Sequence, residues 1–192
     1  MIAGRLRFDA TGPGSKPLKA LSPRAGALFA LHFPTGRLSL GEVSKKKRAK
    51  LHVVTGEAAL REHDPGGVEP LEVDLSAFRA ALTAENHTIK RALTDPRVLS
   101  GIGNAYSDEI LHRARLTPVR WTTRLTDDDF ARLYDATRDV LSEFRERMIT
   151  ELDGGFPEKV TAFRPDMAAH GKYGQPCPVC AEPIQRIRYA DH

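Results

Sequence analysis

The spacing of hydrophobic and polar positions divides the chain into two parts. In the first part, residues 28–33 and 37–40 are short apolar runs typical of strands, and the sequence Pro34-Thr35-Gly36 between them fits a hairpin turn. A third run, residues 50–54, also predicts a strand. In the second part, apolar side chains recur every three or four positions from Asp127 to about Met148, which predicts one long amphipathic helix.

Helix and turn signals fill the remaining chain. Residues 56–73 are rich in glycine and proline and fit a linker. Either Asp74 or Ser76 can cap a helix that continues to Leu82, and residues 87–93 and 104–116 predict two further helices. The pair Gly154-Gly155 is expected to end the long helix, and residues 156–173 have no persistent period and predict a loop.

The turn at residues 101–104 has the composition of an anion-binding helix start. Gly101 and Gly103 can adopt positive φ and admit another backbone, and Asn104 is a favourable N-cap. Unpaired N–H groups at such a helix start attract phosphate. The same residues also fit a simple helix cap, so the turn alone leaves both interpretations open.

Composition narrows the class of protein without deciding its function. The 192 residues are 41% hydrophobic and 28% charged, as in ordinary globular proteins. No apolar run is long enough for a membrane span or a signal peptide, so we expect a protein of the cytoplasm. We also expect it to be a monomer. The net charge of +4 permits nucleic-acid binding. Lys45, Lys46 and Lys47 form a basic cluster that fits either phosphate contacts or a solvated sheet edge.

The two cysteines, Cys177 and Cys180, stand in a C-x-x-C motif between prolines. This spacing fits half of a tetrahedral zinc site or a redox pair and makes a disulfide scaffold improbable. In a four-cysteine site the next cysteine would follow roughly 16 to 21 positions after Cys180, which is beyond His192. We therefore expect the chain to stop inside its own zinc module.

Taken together, residues 93–116, 173–180 and 183–191 resemble the helix–two-turn–helix segment and the first half of the zinc finger of the formamidopyrimidine-DNA glycosylase/endonuclease VIII family. The resemblance implies an α+β fold, here truncated at both ends. Its expected parts are a partial N-terminal β-sandwich at 1–55, a linker at 56–73, a helix–two-turn–helix DNA-binding domain at 74–165 and half of a zinc finger at 166–192.

The resemblance also implies a function in base-excision repair. Enzymes of this family flip an oxidised base out of double-stranded DNA, cleave its glycosidic bond and nick the strand as lyases. They do so with an N-terminal proline and the glutamate after it, whereas this chain starts with Met1-Ile2. We therefore nominate no catalytic residue and expect damaged-DNA binding without activity by this chain alone. The alternative is a noncatalytic nucleic-acid-binding module, since similar helical hairpins occur in a ribosomal protein and a topoisomerase.

Several site residues follow from the resemblance. Asn104, with Gly101 and Gly103, would contact the phosphates that flank the lesion, and Cys177 and Cys180 would bind zinc. The position of a phosphate-binding finger arginine falls on His192, for which a frayed chain end is the alternative. Asp108 and Glu109 are expected to support the helical hairpin without taking part in catalysis. The remaining candidate ligands, His87, His112 and His170, show no ligand spacing with the cysteines.

Overall fold

The computed structural model describes residues 4–12, 27–42, 49–157 and 163–187. The predicted contacts Lys45, Lys46, Lys47 and His192 lie outside these residues. The chain forms two compact units, one of residues 1–62 with 152–160 and the other of residues 63–151 with 161–192. Strands occur in the first unit and most of the helical structure in the second, which confirms the predicted α+β class.

The first unit contains a three-stranded antiparallel sheet of β1 (Gly4–Ala10), β2 (Ala27–Phe33) and β3 (Gly36–Glu42), in the order β1-β3-β2. The predicted hairpin between residues 28 and 40 is therefore confirmed. In the register, Leu38 lies opposite both Phe8 and Leu31. Because side chains alternate along a strand, these residues share one apolar face of the sheet.

The strand predicted at residues 50–54 is wrong. This segment has no regular structure, and Leu51 and Val53 are exposed. A strand needs a neighbour to take its backbone hydrogen bonds, and no described strand pairs with this segment. The short helix α1 (Glu57–Arg61) follows it, inside the range predicted as a linker.

The second unit packs four helices, α2 (Leu75–Thr83), α3 (Ile89–Thr94), α4 (Asn104–Ala114) and α5 (Asp127–Leu152). All four were predicted, and the Asp74 carboxylate caps α2 by accepting the Ala77 N–H at 2.8 Å. The helices enclose a hydrophobic core whose fully buried side chains include Phe78, Leu82, Ile89, Leu93, Leu99, Ile110, Leu133 and Val140. In the ranges the structure describes, no helix is both long and apolar enough to cross a membrane.

Candidate nucleic-acid interface

The connection between α3 and α4 is held in place by the segment before α2. The Val68 N–H donates to the Val98 carbonyl at 3.1 Å, and the Ser100 N–H donates to the Val68 carbonyl at 2.9 Å. A Cβ atom at Gly67 would lie 2.3 Å from the Pro96 oxygen, so only glycine allows this approach. The backbone of the connection is thus fixed just before the glycine turn.

The glycine turn itself is exposed apart from Ile102, whose side chain reaches the core and anchors it. Gly101 has φ +76°, as predicted, whereas Gly103 is extended with φ −99° and ψ −178°, so its predicted positive φ is wrong. A Cβ atom at either glycine would meet nothing within 4 Å. The space beside both residues therefore stays open to a group from outside.

The predicted capping role of Asn104 is also wrong. Gly103 is the N-cap of α4, because its carbonyl accepts the Ser107 N–H at 3.0 Å, and no side chain caps this helix. Asn104 is already the first helical residue, one position too late for its amide to serve as the cap. Its side chain is exposed. The start of α4 thus combines N–H groups that no side chain caps with the exposed amide of Asn104. Both can donate hydrogen bonds to an anion.

One turn further along α4, Asp108 joins two other segments. Its carboxylate pairs with the Lys90 ammonium of α3 through one oxygen and with the His170 ring, at 2.7 Å from Nδ1, through the other. No local sequence pattern predicts this contact, because His170 lies 62 positions from Asp108.

The neighbouring Glu109 is buried, and its carboxylate binds the backbone of the segment that contains His170. Its carboxylate accepts the N–H groups of Ala168, Ala169 and His170 at 2.7, 2.8 and 2.8 Å. The two carboxylates therefore fix residues 168–170 on α4. This is a structural role, as expected, but it reaches beyond the hairpin to the segment before the cysteines.

The cysteine motif forms the tip of a small hairpin. The Cys177 N–H donates to the Glu182 carbonyl at 2.8 Å, and the Ala181 N–H donates to the Cys177 carbonyl at 2.9 Å. The Val179 N–H points at the Cys177 sulfur at 3.4 Å. His112 of α4 places its Nε2 3.2 Å from the same sulfur, a contact across 65 positions that sequence spacing does not reveal.

These contacts make Cys177 a good metal ligand. The hydrogen bond with His112, helped by the N–H groups of Cys180 and Val179, lowers the pKa of Cys177 from 9.0 to about 6. Zinc binds the thiolate form, so the chemistry of Cys177 fits the metal. Among the described residues, no three His, Cys, Asp or Glu side chains come together as a complete metal site. Cys177 and Cys180 thus fit half of a four-ligand site.

Known proteins match both the sequence and the fold. Residues 67–150 match the formamidopyrimidine-DNA glycosylase H2TH domain. Two solved structures match this chain over its whole length, and the match covers 68% of the first structure's chain and 69% of the second's. They are MutM in complex with carbocyclic 8-oxo-G containing DNA, with a TM-score of 0.74, and Lactococcus lactis Fpg with DNA that contains an abasic site, with a TM-score of 0.72. Both are 22% identical and show that the fold is shared.

Curated relatives are more similar in sequence. A formamidopyrimidine-DNA glycosylase of Heliobacterium modesticaldum is 35% identical over 91% of this chain and 65% of its own length. The formamidopyrimidine-DNA glycosylase of Moorella thermoacetica is 32% identical over 97% of this chain and 67% of its own length. A formamidopyrimidine-DNA glycosylase-like protein of Mycobacterium tuberculosis is 33% identical over 65% of this chain and 77% of its own length. The chain therefore spans about two thirds of the length of such relatives, and it belongs to the formamidopyrimidine-DNA glycosylase family.

Proposed function

We propose that this chain holds damaged double-stranded DNA for base-excision repair of oxidised bases. The observation that carries the proposal is the open, uncapped start of α4 at residues 101–104, inside the region that matches the family's DNA-binding domain. The names of the relatives and the 8-oxo-G DNA in the MutM complex support oxidised purines as the lesion class, and the abasic-site DNA in the Fpg complex supports damaged DNA in general.

In this proposal the turn at residues 101–104 contacts the sugar–phosphate backbone of the DNA beside the lesion. The exposed amide of Asn104 donates a hydrogen bond to a phosphate oxygen, and the first N–H groups of α4 add their partial positive charge. Gly101 and Gly103 leave the room that this approach needs. Such contacts position the duplex and do not read its sequence, so the lesion is selected elsewhere in the enzyme.

Other parts of the interface remain proposals from the sequence. We place Lys45, Lys46, Lys47 and His192 at further phosphates, and we expect a monomer in the cytoplasm. The family's glycosylase and lyase chemistry is proposed for the whole enzyme, and none of its steps is assigned to a described residue.

We also propose that Cys177 and Cys180 supply two of the four ligands of a zinc ion. Zinc would stiffen the hairpin, and the Val179 N–H bond to the Cys177 sulfur would help to orient that ligand. Replacing either cysteine by serine should lower the zinc content of the purified protein and its resistance to a chelator. Zinc that stays bound equally well in both variants would contradict this assignment.

The proposed DNA contact is tested by titrating a duplex of about 20 base pairs, with a tetrahydrofuran abasic-site analogue, at several salt concentrations. Asn104→Ala should weaken binding by about 5- to 30-fold, equivalent to roughly 1–2 kcal/mol for a lost charge-assisted hydrogen bond. Its melting temperature should stay near that of the wild type, because Asn104 caps nothing.

Two further variants sharpen this test. Gly103→Ala fills the open space beside the turn and should weaken binding while leaving a folded protein, since its Cβ meets nothing within 4 Å. Asn86→Ala serves as the matched control, because Asn86 is an exposed asparagine whose amide oxygen accepts the Thr123 hydroxyl at 2.9 Å. Equal affinity of Asn104→Ala, Gly103→Ala and Asn86→Ala would refute a phosphate at the turn.

A further inference from the structure

We propose that His112 is a positioning residue for zinc, because from α4 it donates a hydrogen bond to the sulfur of Cys177 and holds that sulfur in place as a metal ligand. The inference rests on the proposed zinc site at Cys177 and Cys180 and extends it to a helix outside the cysteine hairpin. Its basis is the distance of 3.2 Å between Nε2 of His112 and Sγ of Cys177. The two residues are 65 positions apart, so the contact joins two separate segments of the second unit.

One face of α4 holds the segment of residues 168–177 at both of its ends. At the first end, the Glu109 carboxylate accepts the N–H groups of residues 168–170. At the other end, His112 contacts the Cys177 sulfur. Glu109 and His112 stand three positions apart, so they lie on the same side of the helix. A regular helix therefore determines where Cys177 lies, which gives a more precise site than a loop alone.

Apolar packing contributes little to the position of the cysteine hairpin. Among the described residues, the hydrophobic core ends at Met167, and residues 178–183 are all exposed. The backbone hydrogen bonds from Gly174 to Ile184 and from Cys177 to Glu182 lie within the hairpin itself. The contact with His112 therefore supplies an attachment to the helical unit at the place where the first metal ligand stands.

The direction of the hydrogen bond follows from the chemistry of the sulfur. Cysteine binds zinc as a thiolate, which only accepts hydrogen bonds, so the proton of this contact sits on Nε2 of His112. The Val179 N–H approaches the same sulfur at 3.4 Å. Donors of this kind orient a ligand before the metal arrives, which lowers the cost of ordering the site. In the described ranges no three metal-binding side chains come together, so His112 acts on the ligand and is not a third ligand.

Two replacements separate the hydrogen bond from simple packing. Phenylalanine keeps an aromatic ring at position 112 but has no N–H group. Glutamine loses the ring but carries an N–H group at the end of a side chain of similar reach. A residue that only packed against the hairpin would tolerate phenylalanine better than glutamine, whereas a hydrogen-bond donor requires the opposite order.

The test measures metal affinity of the reduced full chain by titration with Co²⁺ and Zn²⁺ in competition with a chelator. His112→Phe should weaken binding of both metals by roughly 10-fold, as for the loss of a partner of a metal ligand. His112→Gln should recover most of the affinity. His32→Phe removes an exposed histidine of β2 in the first unit and is the matched control. It should bind both metals as the wild type does.

Spectroscopy adds readouts that packing alone would not move. A hydrogen bond lowers the energy of the thiolate lone pairs, so the sulfur-to-cobalt charge-transfer band should shift to longer wavelength in His112→Phe and return in His112→Gln. In the zinc-loaded wild type, the ¹⁵N resonance of His112 Nε2 should have the position of a protonated ring nitrogen. This last measurement needs no variant and so does not depend on how a variant folds.

The outcomes separate this inference from the proposals on which it rests. If Cys177→Ser loses metal but His112→Phe binds it as tightly as the wild type, with the same cobalt band, only this inference fails. Equal losses in His112→Phe and His112→Gln, or an Nε2 resonance typical of a metal-bound nitrogen, would also overturn the role of His112 as a donor. If the wild-type chain binds metal no better than Cys177→Ser, the zinc assignment fails too, whereas the DNA contact is decided independently by Asn104→Ala.

Discussion

Arg115 ends α4 in the left-handed conformation, with φ 56° and ψ 44°. Its N–H donates to the His112 carbonyl at 3.2 Å, and the Leu116 N–H donates to that of Leu111 at 3.0 Å, so the helix end is well closed. Glycine adopts this conformation without the crowding that a Cβ atom causes. We expect Arg115→Gly to raise the free energy of unfolding by roughly 0.5–1 kcal/mol, as measured by urea denaturation.

Arg113→Gly is the control for this prediction. Arg113 lies inside α4 and donates two hydrogen bonds to Glu143. Glycine at this position should lower the free energy of unfolding by about 1 kcal/mol or more. A loss of stability in both variants would mean that Arg115 makes a compensating contact as an arginine.

At the same scale, the position of the glycine turn between α3 and α4 was predicted from sequence more reliably than the side-chain contacts around it. The glycine turn was found from residue type, because glycine and asparagine have distinctive conformational preferences. The role of Asn104 as a cap was wrong because α4 begins one residue earlier than the pattern suggests, with Gly103 as its N-cap. The pairs Asp108 with His170 and His112 with Cys177 join distant segments, and no local pattern encodes such contacts.

The start of α5 makes the stability of this helix dependent on pH. Thr126 and Asp129 cap each other, since the Thr126 N–H donates to the Asp129 carboxylate at 3.0 Å and the Asp129 N–H donates to the Thr126 hydroxyl at 3.2 Å. The Thr126 N–H, aided by the Thr126 hydroxyl and by Arg120 and Arg132, lowers the pKa of Asp129 below 3.8. A carboxyl with a lowered pKa stabilises the fold above its ordinary pKa and loses this effect as pH falls through the lowered value.

We therefore expect Asp129→Asn to lower the free energy of unfolding by about 1 kcal/mol near neutral pH, as for a lost helix cap. The difference from the wild type should shrink as the pH falls below about 4, where the wild-type carboxyl becomes protonated. Asp128→Asn, at a largely exposed position, should change stability by less than about 0.5 kcal/mol. A difference between Asp129→Asn and wild type that is constant down to the lowest pH would show that the charge is not involved.

The attachment of residues 168–170 to α4 depends on Glu109. One of its oxygens accepts two N–H groups and the other accepts one. Glu109→Gln turns one acceptor into a donor that faces N–H groups, so it should lower the free energy of unfolding by about 1–3 kcal/mol. It should also speed hydrogen exchange at the amides of residues 168–170. The control Glu143→Gln changes an exposed partner of Arg113 and should have a smaller effect. Unchanged exchange at 168–170 in Glu109→Gln would contradict this role of the carboxylate.

Among the elements, those with a local sequence signal were predicted correctly, whereas the strand that would need a partner strand was predicted wrongly. The period of three to four residues identified α5, and Asp74 identified the start of α2, because both signals are local. Residues 50–54 have the residue types of a strand but no described partner strand, and a strand depends on its neighbours more than on its own sequence.

On the scale of the whole molecule, the buried hydrophobic cluster lies between Phe78 and Met167, within the second unit. In the described part of the first unit, large apolar side chains remain about half exposed, among them Leu6, Leu31 and Phe33 on one face of the sheet. Burial of apolar surface is the main favourable term in folding. The two units should therefore differ in local stability.

We expect hydrogen exchange to show this difference directly. The amides of β1 and β2, at the edges of the sheet, should exchange at least about tenfold faster than those in the buried turns of α4 and α5, and the central strand β3 should be intermediate. Both regions have regular backbone hydrogen bonds, so the comparison isolates the effect of burial. Addition of the abasic-site duplex should slow exchange in the first turn of α4, at the proposed phosphate contact. Equal protection of sheet and helices would show that the two units open as one cooperative structure, and the stability of the chain would then not be set by the helical core alone.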